Sequence, residues 1–115
     1  MTLKITEQNG INIVEFIGVN RFTLVNADEV KQQLRPFLLE KNCKMIFNLS
    51  NITFIDSSAI GCIIALFKTA TTSGSLLKLC NLTPEVLDIF KLLHLQMIFD
   101  ITGTLESCLQ ELSKS

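Results

Sequence analysis

The sequence predicts a single α/β domain with a mainly parallel sheet, an N-terminal antiparallel hairpin and about four helices, in the order ββαβαβαβα. Three observations carry this reading. Short apolar, strand-like runs alternate with longer stretches of helical periodicity, the pattern of strand–helix–strand units. Asn9-Gly10 separates the first two runs, and this dipeptide is a strong two-residue hairpin signal. The length, 115 residues, is that of one domain spanning residues 1–115 and closing one core.

Taken in order, Leu3 to Gln8 alternates apolar with polar residues, and Ile11 to Ile17 forms the second strand of the hairpin, with Val14 and Phe16 on one face. Asn26 followed by Glu29 resembles a capping box, and Ala27, Val30, Leu34, Phe37 and Leu38 recur at helical spacing behind it. Pro36 falls late in that pattern, where a missing amide is expected to end or kink the helix. Met45 to Leu49 is a short, nearly continuous apolar run, as expected of a central strand covered on both faces.

A second helix is expected from Ser57 to about Ser73, then a strand from Leu76 to Cys80. Thr83-Pro84 opens a third helix, an N-cap followed by proline in the first helical position, with Val86, Ile89, Phe90 and Leu93 as its apolar stripe. Met97 to Ile101 is expected to be the last strand, and Leu105, Cys108, Leu109 and Leu112 define a closing helix.

Composition excludes several classes. Ten basic and eleven acidic residues give a net charge of -1, and no stretch of sequence gathers Lys or Arg into a stripe for a phosphate backbone, so no nucleic acid partner is expected. The longest apolar segment, Ile60 to Phe67, is about half of what a bilayer requires, so no membrane insertion is expected. Residues 1–10 lack a basic region followed by an apolar run and a cleavage site, so the expected location is cytoplasmic. Cys43, Cys62, Cys80 and Cys108 are isolated, without metal-ligand spacing, and read as small buried or half-buried hydrophobes. His94 has no partner in the sequence and reads as a surface or helix-end residue. No metal, cofactor or catalytic constellation is evident: there is no GxSxG elbow and no P-loop. The chain does not read as an enzyme.

The most informative stretch is Asn51 to Gly61, a strand-like approach followed by a polar cluster, Asp56-Ser57-Ser58, at the start of a helix. First-turn amides lack intrahelical partners and the helix dipole is positive there, so an anion on Ser57 or Ser58 is accommodated with little strain. The plainer alternative is that these residues only cap the helix. Along the helix, Ile60, Ile63, Ile64 and Phe67 form a core stripe, Cys62, Leu66 and Ala70 a flank, and Gly61, Ala65, Lys68 and Thr72 the opposite strip. The small residues beside the hydroxyls suit a docking surface; burial within the domain is the competing explanation.

Asp56-Ser57-Ser58-Ala59-Ile60-Gly61, preceded by Ile46-Phe47-Asn48-Leu49-Ser50 and followed by an apolar helix, resembles the D-S-[ST]-[GA]-[LI]-G signature of STAS domains, the bacterial anti-sigma-factor antagonists. The similarity extends over nearly the whole chain, through the opening hairpin, Asn26-Ala27-Asp28-Glu29, Leu76 to Cys80, Thr83-Pro84-Glu85-Val86 and Leu93-His94-Leu95. The resemblance implies a phosphorylation-controlled partner switch. The unphosphorylated form binds an anti-sigma factor that is also a serine kinase, phosphorylation of Ser57 releases it, and a PP2C-type serine phosphatase restores the first state. Together with the helix faces read above, the resemblance gives an expected partner-binding surface at Thr23, Asp56, Ser58, Gly61, Cys62, Ala65 and Leu66.

One stretch departs from the family pattern. Where members usually carry Gly-[DE]-[LIV]-Asp after the second strand, this sequence reads Asn20-Arg21-Phe22-Thr23, with Thr23 in place of an acidic residue that helps build the docking site. That substitution supports an alternative, a non-phosphorylated STAS interaction subunit of a signalling or lipid-transport complex.

Overall fold

A computed structural model describes residues 3–99 and 101–113. The first hairpin is β1 (Leu3–Gln8) and β2 (Ile11–Phe16), antiparallel, with Leu3 opposite Phe16 and Gln8 opposite Ile11. Asn9 and Gly10 both have positive φ, 54° and 79°, the backbone that a two-residue turn of this hand requires and that Asn-Gly supplies at least strain. Further on come β3 (Arg21–Phe22), α1 (Leu24–Leu39), β4 (Lys44–Asn48), β5 (Phe54–Ile55), α2 (Ser57–Ser73) and β6 (Leu76–Cys80). They are followed by α3 (Pro84–Leu92), a 3-10 turn (Leu95–Met97), β7 (Ile101–Thr102) and α4 (Leu105–Ser113).

Five strands form one sheet in the order β1-β2-β4-β6-β7, parallel except for the opening hairpin. β4 lies in the middle, and its Met45, Ile46 and Phe47 are fully buried, as its unbroken apolar run predicts. Alternation divides the side chains between two cores. Val14, Phe16, Met45, Phe47, Leu77 and Leu79 point to the face covered by α1, α2 and α3. Ile11, Ile13, Ile46 and Cys80 point to the face where α4 places Cys108 and Leu112. Lys44 and Lys78, on that second face, tie α4 down: Lys44 Nζ donates to Leu112 O at 3.0 Å and Lys78 Nζ pairs with Glu111 Oε2 at 2.8 Å.

Four expectations need correction. The first helix starts at Leu24 with Thr23 as its N-cap, three residues before the Asn26 cap read from the sequence. Asn26 is instead a buried residue of the first turn. Its Oδ1 accepts from Thr23 N (2.9 Å) and its Nδ2 donates to Arg21 O (2.9 Å), which fixes the entry to the helix from within. The same helix runs through Pro36 to Leu39, without the bond that a Pro36 amide would have made to the Gln32 carbonyl, and ends three residues later. The last strand is not Met97 to Ile101. Leu95 to Met97 is a 3-10 turn whose Leu95, with Phe99, turns into the core, and the strand is only β7. Asp100, within the expected strand, lies outside the described residues. Lastly, β3 and β5 form a parallel two-stranded ribbon of their own, too short to leave a periodic signal.

The other boundaries agree with the sequence: α2 covers Ser57–Ser73, β6 covers Leu76–Cys80, and Thr83 caps α3 with Pro84 in its first turn. Gly74, at φ 78°, closes α2 in the left-handed conformation that favours glycine. Cys62, Cys80 and Cys108 are buried and Cys43 half-buried, all as free thiols. Burial pushes the Cys62 thiol up to about 11 and the Cys80 thiol up to about 12, which keeps both protonated and unreactive at neutral pH.

Candidate functional site

The site forms where the ribbon β3–β5 feeds two helices. Phe22 and Ile55 face each other in the ribbon and are buried, with Phe22 packed on Phe16 and Phe47 at ring-centroid distances of 5.0 and 6.0 Å. On the outer side, opposite in register, the Arg21 guanidinium lies over the Phe54 ring at 4.2 Å, a cation–π contact that holds the ribbon's exposed surface. With its base anchored in the core and its outer side stacked, the ribbon sets the next residue of each strand, Thr23 and Asp56, beside one another.

Both of these residues cap helices. Thr23 Oγ1 accepts from Val25 N at 3.2 Å at the start of α1. Asp56 Oδ1 accepts from Ala59 N at 2.9 Å at the start of α2, and its second oxygen, Oδ2, accepts from Leu24 N at 3.0 Å. Asp56 therefore caps its own helix and binds a first-turn amide of the neighbouring one, and its backbone N donates to Phe22 O at 3.3 Å. These bonds lower its pKa below the usual carboxylate range. The Ala59 amide has the largest effect, partial burial opposes it, and the Leu24 amide adds to it.

Ser57 is the first residue of α2 and is exposed; Ser58 follows, half-buried. Ser58, Gly61 and Cys62 line one wall of a hollow of about 350 Å³, and Leu24, Ala27, Asp28 and Lys31 of α1 line the other. Gly61 is exposed, and a Cβ at this position would meet nothing within 4 Å. Leu24 and Val25, on the first turn of α1, are 73% and 93% exposed, and Leu24 shares the hollow with Ser58.

Of the residues predicted from the sequence, Thr23, Asp56, Ser57, Ser58 and Gly61 come together at this one end of the molecule, and Ala65 continues the outer side of α2, half-buried. Cys62 and Leu66 do not belong to an open flank: Leu66 is 1% exposed, and Cys62 is buried with its Sγ donating to Ala27 O at 3.4 Å. The reason is α1, which packs against this side of α2 and covers what helical spacing alone left open. Leu66 is core and offers no surface to a partner, and Cys62 reaches only the floor of the hollow. Sequence reasoning missed Leu24, which lines the hollow opposite Ser58, and the exposed Val25, Arg21 and Phe54 on the same helix start and ribbon. The apolar pair Leu24-Val25 just before the Asn26 signal was the available sign, since a first turn with two unburied aliphatics has no use in a core.

Residues 2–108 match the STAS domain, and the chain belongs to the STAS domain family. Its relatives carry more particular names. Over 110 residues it is 24% identical to the anti-sigma-B factor antagonist of Bacillus subtilis (strain 168), covering 96% of this chain and 100% of that protein. Over 105 residues it is 26% identical to the anti-sigma F factor antagonist of Paenibacillus polymyxa, covering 87% of each. Among solved structures, the anti-sigma-factor antagonist (STAS) domain protein from Planctomyces limnophilus has the same fold, with a TM-score of 0.88 at 14% identity over 96% of this chain and 97% of that one.

Proposed function

We propose that this protein is an anti-sigma-factor antagonist that works as a phosphorylation-controlled partner switch and catalyses nothing itself. Its unphosphorylated form binds an anti-sigma factor with serine kinase activity, transfer of a phosphoryl group to Ser57 Oγ ends the binding, and a PP2C-type phosphatase removes the phosphate. The observation that carries the proposal is the placement of Ser57. Its side chain is exposed on the first turn of α2, directly after a carboxylate that holds two helix starts in fixed relation. A hydroxyl in this position is reachable by a kinase without any unfolding. The names of the relatives support the choice of partner.

The physics of release is electrostatic. A phosphoserine adds a charge of roughly −1.5 to −2, here next to Asp56, whose carboxylate bonds the start of α1, where the exposed Leu24 and Val25 offer apolar surface for a partner to cover. The amides at the start of α2 tolerate the phosphate in the free protein, while a bound partner would have to desolvate it. Intact-mass and fragment analysis of the protein from its own cells tests the reading. A single phosphate on Ser57 is expected, absent in Ser57→Ala, and Ser57→Asp is expected to weaken partner binding while Ser57→Ala preserves it. A phosphate that persists in Ser57→Ala and is lost in Ser58→Ala moves the site by one residue.

Thr23 favours a second reading, a STAS interaction subunit of a signalling or lipid-transport complex that is never phosphorylated. Thr23 keeps the capping bond of α1 but brings no charge to the docking surface. Absence of phosphate under all growth conditions, stress included, would select this reading.

A further inference from the structure

The hollow beside Ser58 is not the only one between α1 and α2. α1 and α2 begin side by side, bridged by Asp56, and run alongside each other. Further along their seam lies a second hollow of about 270 Å³ between Arg35 and Leu39 of α1 and Lys68, Thr69, Thr72 and Ser73 of α2. Lys31 lines the first hollow and Arg35 and Lys68 the second, so three of the chain's ten basic residues, two from α1 and one distant in sequence from α2, are gathered on one seam. This concentration arises only on folding: Lys31 and Arg35 are one helical turn apart on α1, and Lys68 faces them from α2.

These cations differ in state from Lys44, Lys78 and Arg21, and differ in place from Lys4, Lys41 and Lys91, which are exposed as well but line neither hollow. Lys44 and Lys78 are engaged with α4, and Arg21 lies on Phe54. Lys31, Arg35 and Lys68 are exposed, and among the described residues none of them is ion-paired with an acidic side chain. The one acid lining either hollow is Asp28, and its Oδ2 accepts from Gln32 Nε2 at 3.0 Å. Gly61 on the α2 wall leaves the approach open, and Thr69 and Thr72 offer hydroxyls between the charges. The seam thus carries two open hollows, one after the other, with three cations and one acid among their lining residues, in a protein whose net charge is -1.

We propose that the seam between α1 and α2 is a docking groove for an acidic segment of the protein partner, whose carboxylates meet Lys31, Arg35 and Lys68. The proposal rests on the switch reading for the identity of the partner and extends its contact surface from the serines down the two helices. Charge complementarity decides the occupant. Three unpaired cations along two hollows in line on one seam select a narrow anionic chain, whereas a lipid surface is met by convex faces with protruding apolar side chains. Pairs formed at such an exposed site act mainly on the rate of association and on partner choice, and weaken with salt.

The test titrates the full isotope-labelled chain with a synthetic peptide of about 15 residues made of glutamate, alanine and leucine, followed by backbone amide shifts at about 50 and about 300 mM salt. Shifts confined to residues 28–39 and 58–73, weaker at the higher salt, are expected, and a control peptide with lysine in place of glutamate is expected to cause none. Lys31→Glu/Arg35→Glu/Lys68→Glu should lower the affinity by about tenfold or more. The neutral triple variant with Gln at the same positions should lower it less and guards against a folding defect. Shifts spread over the other lysines, binding unchanged in both triple variants, or seam shifts produced by phosphatidylglycerol vesicles and not by the peptide would overturn the proposal. The titration involves no phosphate, so a failed groove leaves the Ser57 result standing, and an unphosphorylated Ser57 leaves the groove result standing.

Discussion

Two helices begin within hydrogen-bonding reach of one another, and they are capped in different ways. α1 is closed by the neutral hydroxyl of Thr23, which accepts one local amide. α2 is closed by the carboxylate of Asp56, which accepts from its own helix and from Leu24 of α1. The first cap is local, whereas the second is a tie between elements 32 residues apart in sequence. The difference teaches that the geometry around Ser57 depends on one charged residue more than on the two caps equally, and that the ribbon beneath them is what makes the tie possible.

Removing the base of the ribbon should have the largest effect, because it breaks both helix starts together. Phe22 is fully buried against Phe16 and Phe47, and Phe22→Ala is expected to lower unfolding free energy by about 3–5 kcal/mol, measured by urea denaturation. A loss below about 1 kcal/mol would mean that the ribbon does not order the site.

The two caps should then separate. Thr23→Ala removes one cap and is expected to cost about 1 kcal/mol. Asp56→Ala removes a cap and the bond to Leu24, and should lower the melting temperature further than Thr23→Ala does, with amide shifts in the first turns of both helices. Equal melting temperatures would mean that the bond to Leu24 contributes nothing. Acid sharpens this comparison. The Asp56 pKa is lowered by folding, so its contribution is complete above the unfolded carboxylate pKa and is lost as pH falls through the folded value. Asp56→Asn cannot titrate, and the stability gap between it and the wild type should therefore narrow as the pH falls through that window.

How much of this was legible in the sequence follows from what each signal encodes. α2 and α3 were readable to the residue at their starts, because Asp-Ser-Ser before an apolar run and Thr-Pro-Glu are local chemistry that caps a helix wherever the chain goes. The cap of α1 was misplaced because Asn26 is itself a good cap residue, and only the buried bonds to Arg21 O and Thr23 N show it acting from inside the first turn. Leu66 was assigned to the surface because periodicity tells which residues share a side of a helix and not which neighbour covers that side. β3 and β5 are two residues each, below any period, and the basic seam is contributed by two helices whose cations are 33 residues apart at Arg35 and Lys68. Local chemistry was visible, and long-range pairing was not.

The smallest expected effect on stability comes from making the two caps alike. Thr23→Asp keeps an acceptor for the first-turn amides of α1 and adds a carboxylate at the positive end of that helix, worth about 0.3–1 kcal/mol in isolation. Asp56 Oδ2 already occupies the same helix start through Leu24 N at 3.0 Å, so the two carboxylates repel there, and net stability at neutral pH should change by no more than about 0.5 kcal/mol. The titration should respond more clearly than the stability. A like charge next to Asp56 disfavours its ionised form, so its pKa should move upward from its lowered value, which carboxyl carbon shifts followed through acid pH would detect. An Asp56 titration unchanged in Thr23→Asp would mean that the new carboxylate turns away to solvent and the two helix starts are electrically independent. In that event the neutral residue at Thr23 would have no bearing on the charge around Ser57.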